Sequence, residues 1–271
     1  MKKIFISILL TLGGMAVFVL GSPYYRIFPT NNNQTYYIGM AVFFLVTALI
    51  FKKSKSFSPY AGAAYALFIA SSTLVFLKTG ILNLPSIPSN PLKDIAYDKL
   101  SQFLHIVPVI IGLTLIARQD LKSIFIRKGR LKQGLIFGVV SFVCFAGALL
   151  ATQSDLKAFL TTLPDAIPWM LLFIFANAIM EELWFRGIFL KHYEKIIGRK
   201  AAILVTALVF GVSHINATYD FPGGGLVFGL VVFGLGVVGA YAMSKDDSLI
   251  GPVLFHAGYD LLVIMPVLNS L

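Results

Sequence analysis

Apolar residues fill this chain in long blocks with few breaks, at about Ile4–Gly21, Thr35–Phe51, Tyr60–Leu77, Phe103–Ala117, Gly134–Ala151, Ile167–Leu190, Ala201–Ser213, Gly225–Met243 and Leu249–Leu268. A helix needs about 20 apolar residues to cross a hydrocarbon layer of about 30 Å. The pattern therefore predicts an all-α polytopic transmembrane helical bundle of nine spans, or eight if one run is re-entrant. Lys2-Lys3 ahead of the first run resembles the start of a signal peptide. No small-x-small site follows at Ser22-Pro23-Tyr24, so the run reads as a retained first span. The segment Lys78–Gln102, with Pro85, Pro88 and Pro91, reads as the longest loop, lying on the membrane surface.

Composition agrees with this reading. Of 271 residues, 58% are hydrophobic and 13% charged, with mean hydropathy +0.84, far from the average of soluble domains. Net charge is 22 − 12 = +10. In an integral membrane protein this excess is expected in loops facing anionic lipid, so no nucleic-acid partner is expected. Lys2-Lys3, Lys52-Lys53-Lys55, the Arg118–Lys132 cluster, Lys191/Lys195/Arg199/Lys200 and Lys245 fall on one side of the membrane. Arg26, Lys78, Lys93, Lys99 and Lys157 fall on the other. The richer set, decided by Arg118–Lys132, puts the N-terminus in the cytoplasm. The single Cys144 reads as a small core residue. Gly225, Gly229, Gly236 and Ala240 share one stripe of the eighth run, a close-packing surface of membrane helices. Asn216-Ala217-Thr218 matches a glycosylation sequon, a weak three-residue pattern.

The candidate chemistry centres on Ala178-Ile179-Met180-Glu181-Glu182-Leu183-Trp184-Phe185-Arg186-Gly187. Charges at membrane depth persist when they have a partner or a task. On a helix, Glu182 and Arg186 are four apart on one face, while Glu181 points roughly 100° away. Glu182–Arg186 thus reads as scaffold and Glu181 as chemistry. His105 and His192 lie near run ends, where histidine is ordinary. His214 ends one run, and His256 sits inside another with Asp260 one helical turn on. Counted from the cytoplasmic ends, Glu181, His214, His256 and Asp260 fall roughly 15, 21, 12 and 18 Å deep, a common level near mid-membrane. A free carboxylate beside an imidazole can deprotonate a water, and a second imidazole can stabilise an oxyanion. The same four residues are alternatively a ligand set for one zinc. Neither His-Glu-x-x-His nor Gly-x-Ser-x-Gly occurs.

Glu181-Glu182-x-x-x-Arg186, Phe210-x-x-x-His214 and His256-x-x-x-Asp260, in that order, resemble the three motifs of the CPBP family. These are intramembrane proteases that include the CAAX prenyl endopeptidases and the bacterial Abi proteins linked to bacteriocin processing and self-immunity. The motifs occupy about Pro164–Pro266. This divides the chain into residues 1–163, helices without a recognised motif, and 164–271, the catalytic helical region. The resemblance implies that Glu181 and His214 activate water, that His256 and Asp260 lie on the oxyanion side, and that Arg186 supports Glu182. The last position is Asn in the prenyl endopeptidases, and Asp260 departs from it. By analogy no metal is obligate, with zinc as the alternative. The implied substrate is a membrane-associated protein or peptide precursor, and the short basic loops suit a bacterial plasma membrane. Two other readings stand beside it. One is a non-enzymatic immunity or regulatory protein of the same fold. The other, a proton-coupled transporter, ranks last because no internal repeat is evident.

Overall fold

The structure is a computed structural model and describes residues 2–22, 25, 33–217 and 223–269. Pro23, Tyr24, Arg26 and Thr218, which entered the signal-peptide, charge and sequon readings, lie outside them. In chain order the helices are α1 (Lys2–Met15, continuing as a π-helical segment Ala16–Leu20), α2 (Asn33–Lys53), α3 (Ala61–Leu77), α4 (Pro91–Ile116) and α5 (Leu131–Ala151). Then come α6 (Leu156–Glu181, running into a π-helical segment Glu182–Gly187), α7 (Leu190–Ile197), α8 (Arg199–Ser213), α9 (Gly224–Asp246), α10 (Ile250–Val263) and α11 (Met265–Leu268). There is no strand among the described residues.

The fold is a membrane bundle, as the pattern predicts. Seven helical segments among the described residues are long and apolar enough to cross a bilayer, and α6 to α7 counts as one of them. The other two apolar runs form α8 and α10, of 15 and 14 residues. At 1.5 Å per residue these are about 21–23 Å long, shorter than the hydrocarbon layer. Large apolar side chains lie on the outer surface, among them Phe5, Ile8 and Leu12 of α1, Phe43, Val46 and Ile50 of α2, Ile136, Val140 and Val143 of α5, and Leu226 and Leu230 of α9. The charged groups Glu181, Glu182, Arg186 and Asp260 are buried. A bundle whose outer surface meets lipid can distribute residues this way; one that meets water cannot.

Two sequence expectations change. Residues 91–102 are helix, not loop. Asn90 caps α4 by accepting a hydrogen bond from the Lys93 N–H at 2.9 Å, and Pro91 takes the first turn, where no N–H is needed. Lys93 and Lys99 are therefore helix residues. Cys144 is exposed on α5, facing outward rather than into the core.

The main pairings are α5 with α10, α2 with α3, α8 with α9 and α4 with α6. The glycine stripe is a packing surface. A Cβ on Gly229 would stand 2.6 Å from Ile215 Cγ1, one on Gly236 would stand 3.0 Å from the Ala207 Cα, and one on Gly225 would collide with the Ile215 carbonyl. The bare backbone of α9 is what lets α8 and its C-terminal turn approach. The Arg118–Lys132 loop is docked as well as basic. Arg127 and Lys191 each reach Asp247 at 2.6 Å, and Gly129, at φ +51°, lies against the backbone of Asp246.

Candidate active site

Glu181 closes α6, and the chain continues into a π-helical segment with i→i+5 bonding, shown by Ile188 N–H donating to the Leu183 carbonyl at 3.1 Å. Such segments often mark functional sites. Here the segment carries Glu182 and Arg186, which pair at 2.6 Å. The guanidinium also donates from Nε to the Gly236 carbonyl at 3.4 Å and lies over the Phe210 ring at 4.3 Å. Glu182 has a second partner. His256 Nδ1 stands 2.8 Å from the same Oε1 and donates its proton to it.

Glu181 takes no part in that pair. Its Oε2 faces Nε2 of His214 at 3.7 Å and Nε2 of His256 at 3.6 Å. Nε2 of His256 also stands 3.6 Å from Asp260 Oδ1. The structure thus brings Glu181, Glu182, Arg186, His214, His256 and Asp260 into one buried cluster, drawn from α6 and its π-helical continuation, α8 and α10.

The tautomer of His214 follows from the end of its helix. The final turn of α8 bends, and the His214 N–H donates to Gly211 rather than to Phe210. The freed Phe210 carbonyl accepts from His214 Nδ1 at 2.8 Å and from Ser213 Oγ at 2.8 Å. Nδ1 is committed to that carbonyl, so Nε2 turns to Glu181. With its side chain 16% exposed, His214 is the most open member of the cluster. His105 has a structural task instead. Its Nδ1 donates to the Ser101 carbonyl at 2.7 Å and its Nε2 accepts from the Leu82 N–H at 3.1 Å, fastening the α3–α4 connection.

Two further residues reach the cluster, neither of which the sequence reading singled out. Asn177, one turn before Glu181, donates from Nδ2 to Asp260 Oδ2 at 3.0 Å. Its i,i+4 relation to Glu181 was the available signal. Lys99 of α4 stands with Nζ 3.9 Å from Glu181 Oε1. It was hidden because residues 78–102 read as a loop.

Imidazoles and carboxylates are donors that zinc accepts. Among the described residues, however, no three or more His, Cys, Asp or Glu are grouped so that they could hold a metal ion. The Lys99 ammonium beside Glu181 is the wrong neighbour for a dication. The set does not fit zinc, and no step is derived through one.

The family model described as type II CAAX prenyl endopeptidase Rce1-like matches residues 163–262. No curated protein and no solved structure matches the chain. The matched stretch holds Glu181, Glu182, Arg186, His214, His256 and Asp260 together, and over that stretch the chain is similar to the CAAX protease family.

Proposed function

We propose that this chain is an intramembrane endopeptidase that hydrolyses a peptide bond of a membrane-associated protein or peptide precursor. The family match supports a protease of the CAAX type. The observation that carries the mechanism is the single carboxylate oxygen, Glu181 Oε2, facing two imidazole nitrogens at 3.6 and 3.7 Å. These separations are too long for direct hydrogen bonds. They suit a water that sits at the apex of the three atoms, about 2.8 Å from each.

In this reading Glu181 takes the proton of that water, and His214 holds the water by accepting its second hydrogen at Nε2. The hydroxide attacks the scissile carbonyl. His256, with its Nδ1–H committed to Glu182, presents Nε2–H to the developing oxyanion. Asp260, held by Asn177, stands beside the same Nε2 at 3.6 Å and favours its protonated form. Collapse of the tetrahedral intermediate breaks the C–N bond, and Glu181 returns its proton to the leaving amine. Burial among apolar helices strengthens each of these interactions.

The test uses the full chain in liposomes with two fluorogenic peptides, one farnesylated at a C-terminal CAAX sequence and one not. Membrane peptidomes of cells carrying wild type or Glu181→Gln are compared in parallel. Cleavage that falls by roughly a hundredfold or more in Glu181→Gln supports the reading. If neither peptide is cut, the peptidomes match and the cellular function persists in Glu181→Gln, the chain acts by binding, as an immunity or regulatory protein would. The proposal places the chain in a bacterial plasma membrane with its N-terminus in the cytoplasm. Its partners are the bilayer and the substrate.

A further inference from the structure

The six clustered motif residues do not balance electrically. Glu181, Glu182 and Asp260 are three buried carboxylates, and Arg186 is the only permanent cation among the motif residues. Arg186 is committed to Glu182 at 2.6 Å. The second cation comes from outside the 163–262 match. Lys99 projects from α4, eight residues after Pro91, with its side chain 12% exposed and Nζ 3.9 Å from Glu181 Oε1. The two oxygens of Glu181 are thereby divided. Oε1 looks to Lys99, and Oε2 looks to the imidazoles of α8 and α10. With Lys99 present, one proton on an imidazole closes the charge balance of the cluster. Without it, even with that proton, one uncompensated negative charge would remain in a buried site, a costly arrangement.

We propose that Lys99 is a positioning residue that keeps the Glu181 carboxylate ionised and turns its second oxygen toward His214 and His256. The half of the chain without a recognised motif thereby supplies part of the active site. The charged and titratable groups facing Glu181 are Lys99 from α4, His214 from α8, and His256 and Asp260 from α10. Glu182 and Arg186 lie on its own helix. Of the permanent cations among the described residues, only Lys99 is placed against Glu181 itself. The catalytic consequence rests on the endopeptidase reading; the charge consequence does not.

Two measurements test the proposal. The first is infrared spectroscopy of the purified full chain in liposomes at pH 7, reading the carbonyl stretch of a protonated carboxyl, assigned to Glu181 by its absence when Glu181→Gln is added to Lys99→Met. Wild type should lack this band, Lys99→Met should gain it, and Lys99→Arg should lack it again. The second is cleavage of the fluorogenic peptides. Lys99→Met should lower kcat by about tenfold or more with little change in KM, and Lys99→Arg should restore it. A structural role alone would lower folded yield without adding the band. If Lys99→Met does not accumulate, Lys99→Gln carries the same two readouts. A band already present in wild type, or identical spectra for wild type and Lys99→Met, overturns the proposal. Cleavage that survives Glu181→Gln overturns the role given to Glu181, and the absence of any cleavage by wild type overturns the endopeptidase reading; either leaves the infrared result to decide the role of Lys99.

Discussion

His256 Nδ1 donates to Glu182 Oε1 across 2.8 Å, joining α10 to the π-helical segment that follows α6. The same oxygen accepts from Arg186 at 2.6 Å. The Glu182–Arg186 pair is therefore more than a neutralised charge within one helix. It is the base on which the His256 ring stands, and it sets which nitrogen of that ring faces Glu181.

This arrangement predicts different fates for the adjacent glutamates. Glu182→Gln leaves Arg186 buried without its counter-charge and loosens His256, so both stability and cleavage should fall. Removing one member of such a buried pair costs about 3–5 kcal/mol. In Glu181→Gln, cleavage should vanish while folded yield stays close to wild type, because no contact of Glu181 with an imidazole or Lys99 is shorter than 3.6 Å. Thermal unfolding in detergent, read beside the cleavage rate, checks this. Equal loss of folded protein in both variants would erase the distinction.

Asn177 and Asp260 give a second prediction. Asn177→Leu removes the donor to Asp260 Oδ2 and should lower the rate about tenfold, with a cost of about 1–3 kcal/mol in stability. Asn177→Asp should be worse, because it sets two carboxylates face to face. The exchange Asn177→Asp with Asp260→Asn rebuilds a carboxylate–amide pair and should recover part of the loss. A double-mutant cycle measures the coupling directly. Strictly additive effects would show that the 3.0 Å contact carries no energy.

The α8–α9 packing gives a third prediction. A methyl on Gly225 would run into the Ile215 carbonyl, in the turn that carries His214. Gly225→Ala should therefore destabilise the fold by about 1–3 kcal/mol and reduce cleavage by displacing His214. Gly234→Ala, on the same helix with nothing within 4 Å of the added atom, should be neutral. Comparable loss from both would mean that α9 resists any substitution of glycine and that close approach is not the cause.

Metal dependence is the fourth. Prolonged treatment with a high-affinity chelator should leave cleavage intact, and Asp260→Asn should keep much of the rate, since the amide can still hydrogen-bond beside His256. Activity that disappears on chelation, returns with added zinc and is lost in Asp260→Asn would install a metal mechanism. The protease assignment would survive that result.

Several features were legible in the sequence because they depend on spacing alone. Long apolar runs can be satisfied in lipid only as helices, so the all-α membrane bundle follows from hydropathy. Glu182 and Arg186 share a face because they are four apart on a helix, and Glu181 is turned away for the same reason. Other features required the tertiary structure. Lys99 and Glu181 are 82 positions apart, and only the packing of α4 on α6 brings them to 3.9 Å. No periodicity encodes that contact, and Pro85, Pro88 and Pro91, two before α4 and one at its start, disguised its first turns. His256 and Glu182 meet because α10 crosses the π-helical segment, a local departure from α-helical bonding that the sequence pattern does not announce. Cys144 faces outward because helix rotation is set by neighbouring helices, and an apolar run as uniform as that of α5 has no polar face to mark which side turns to lipid.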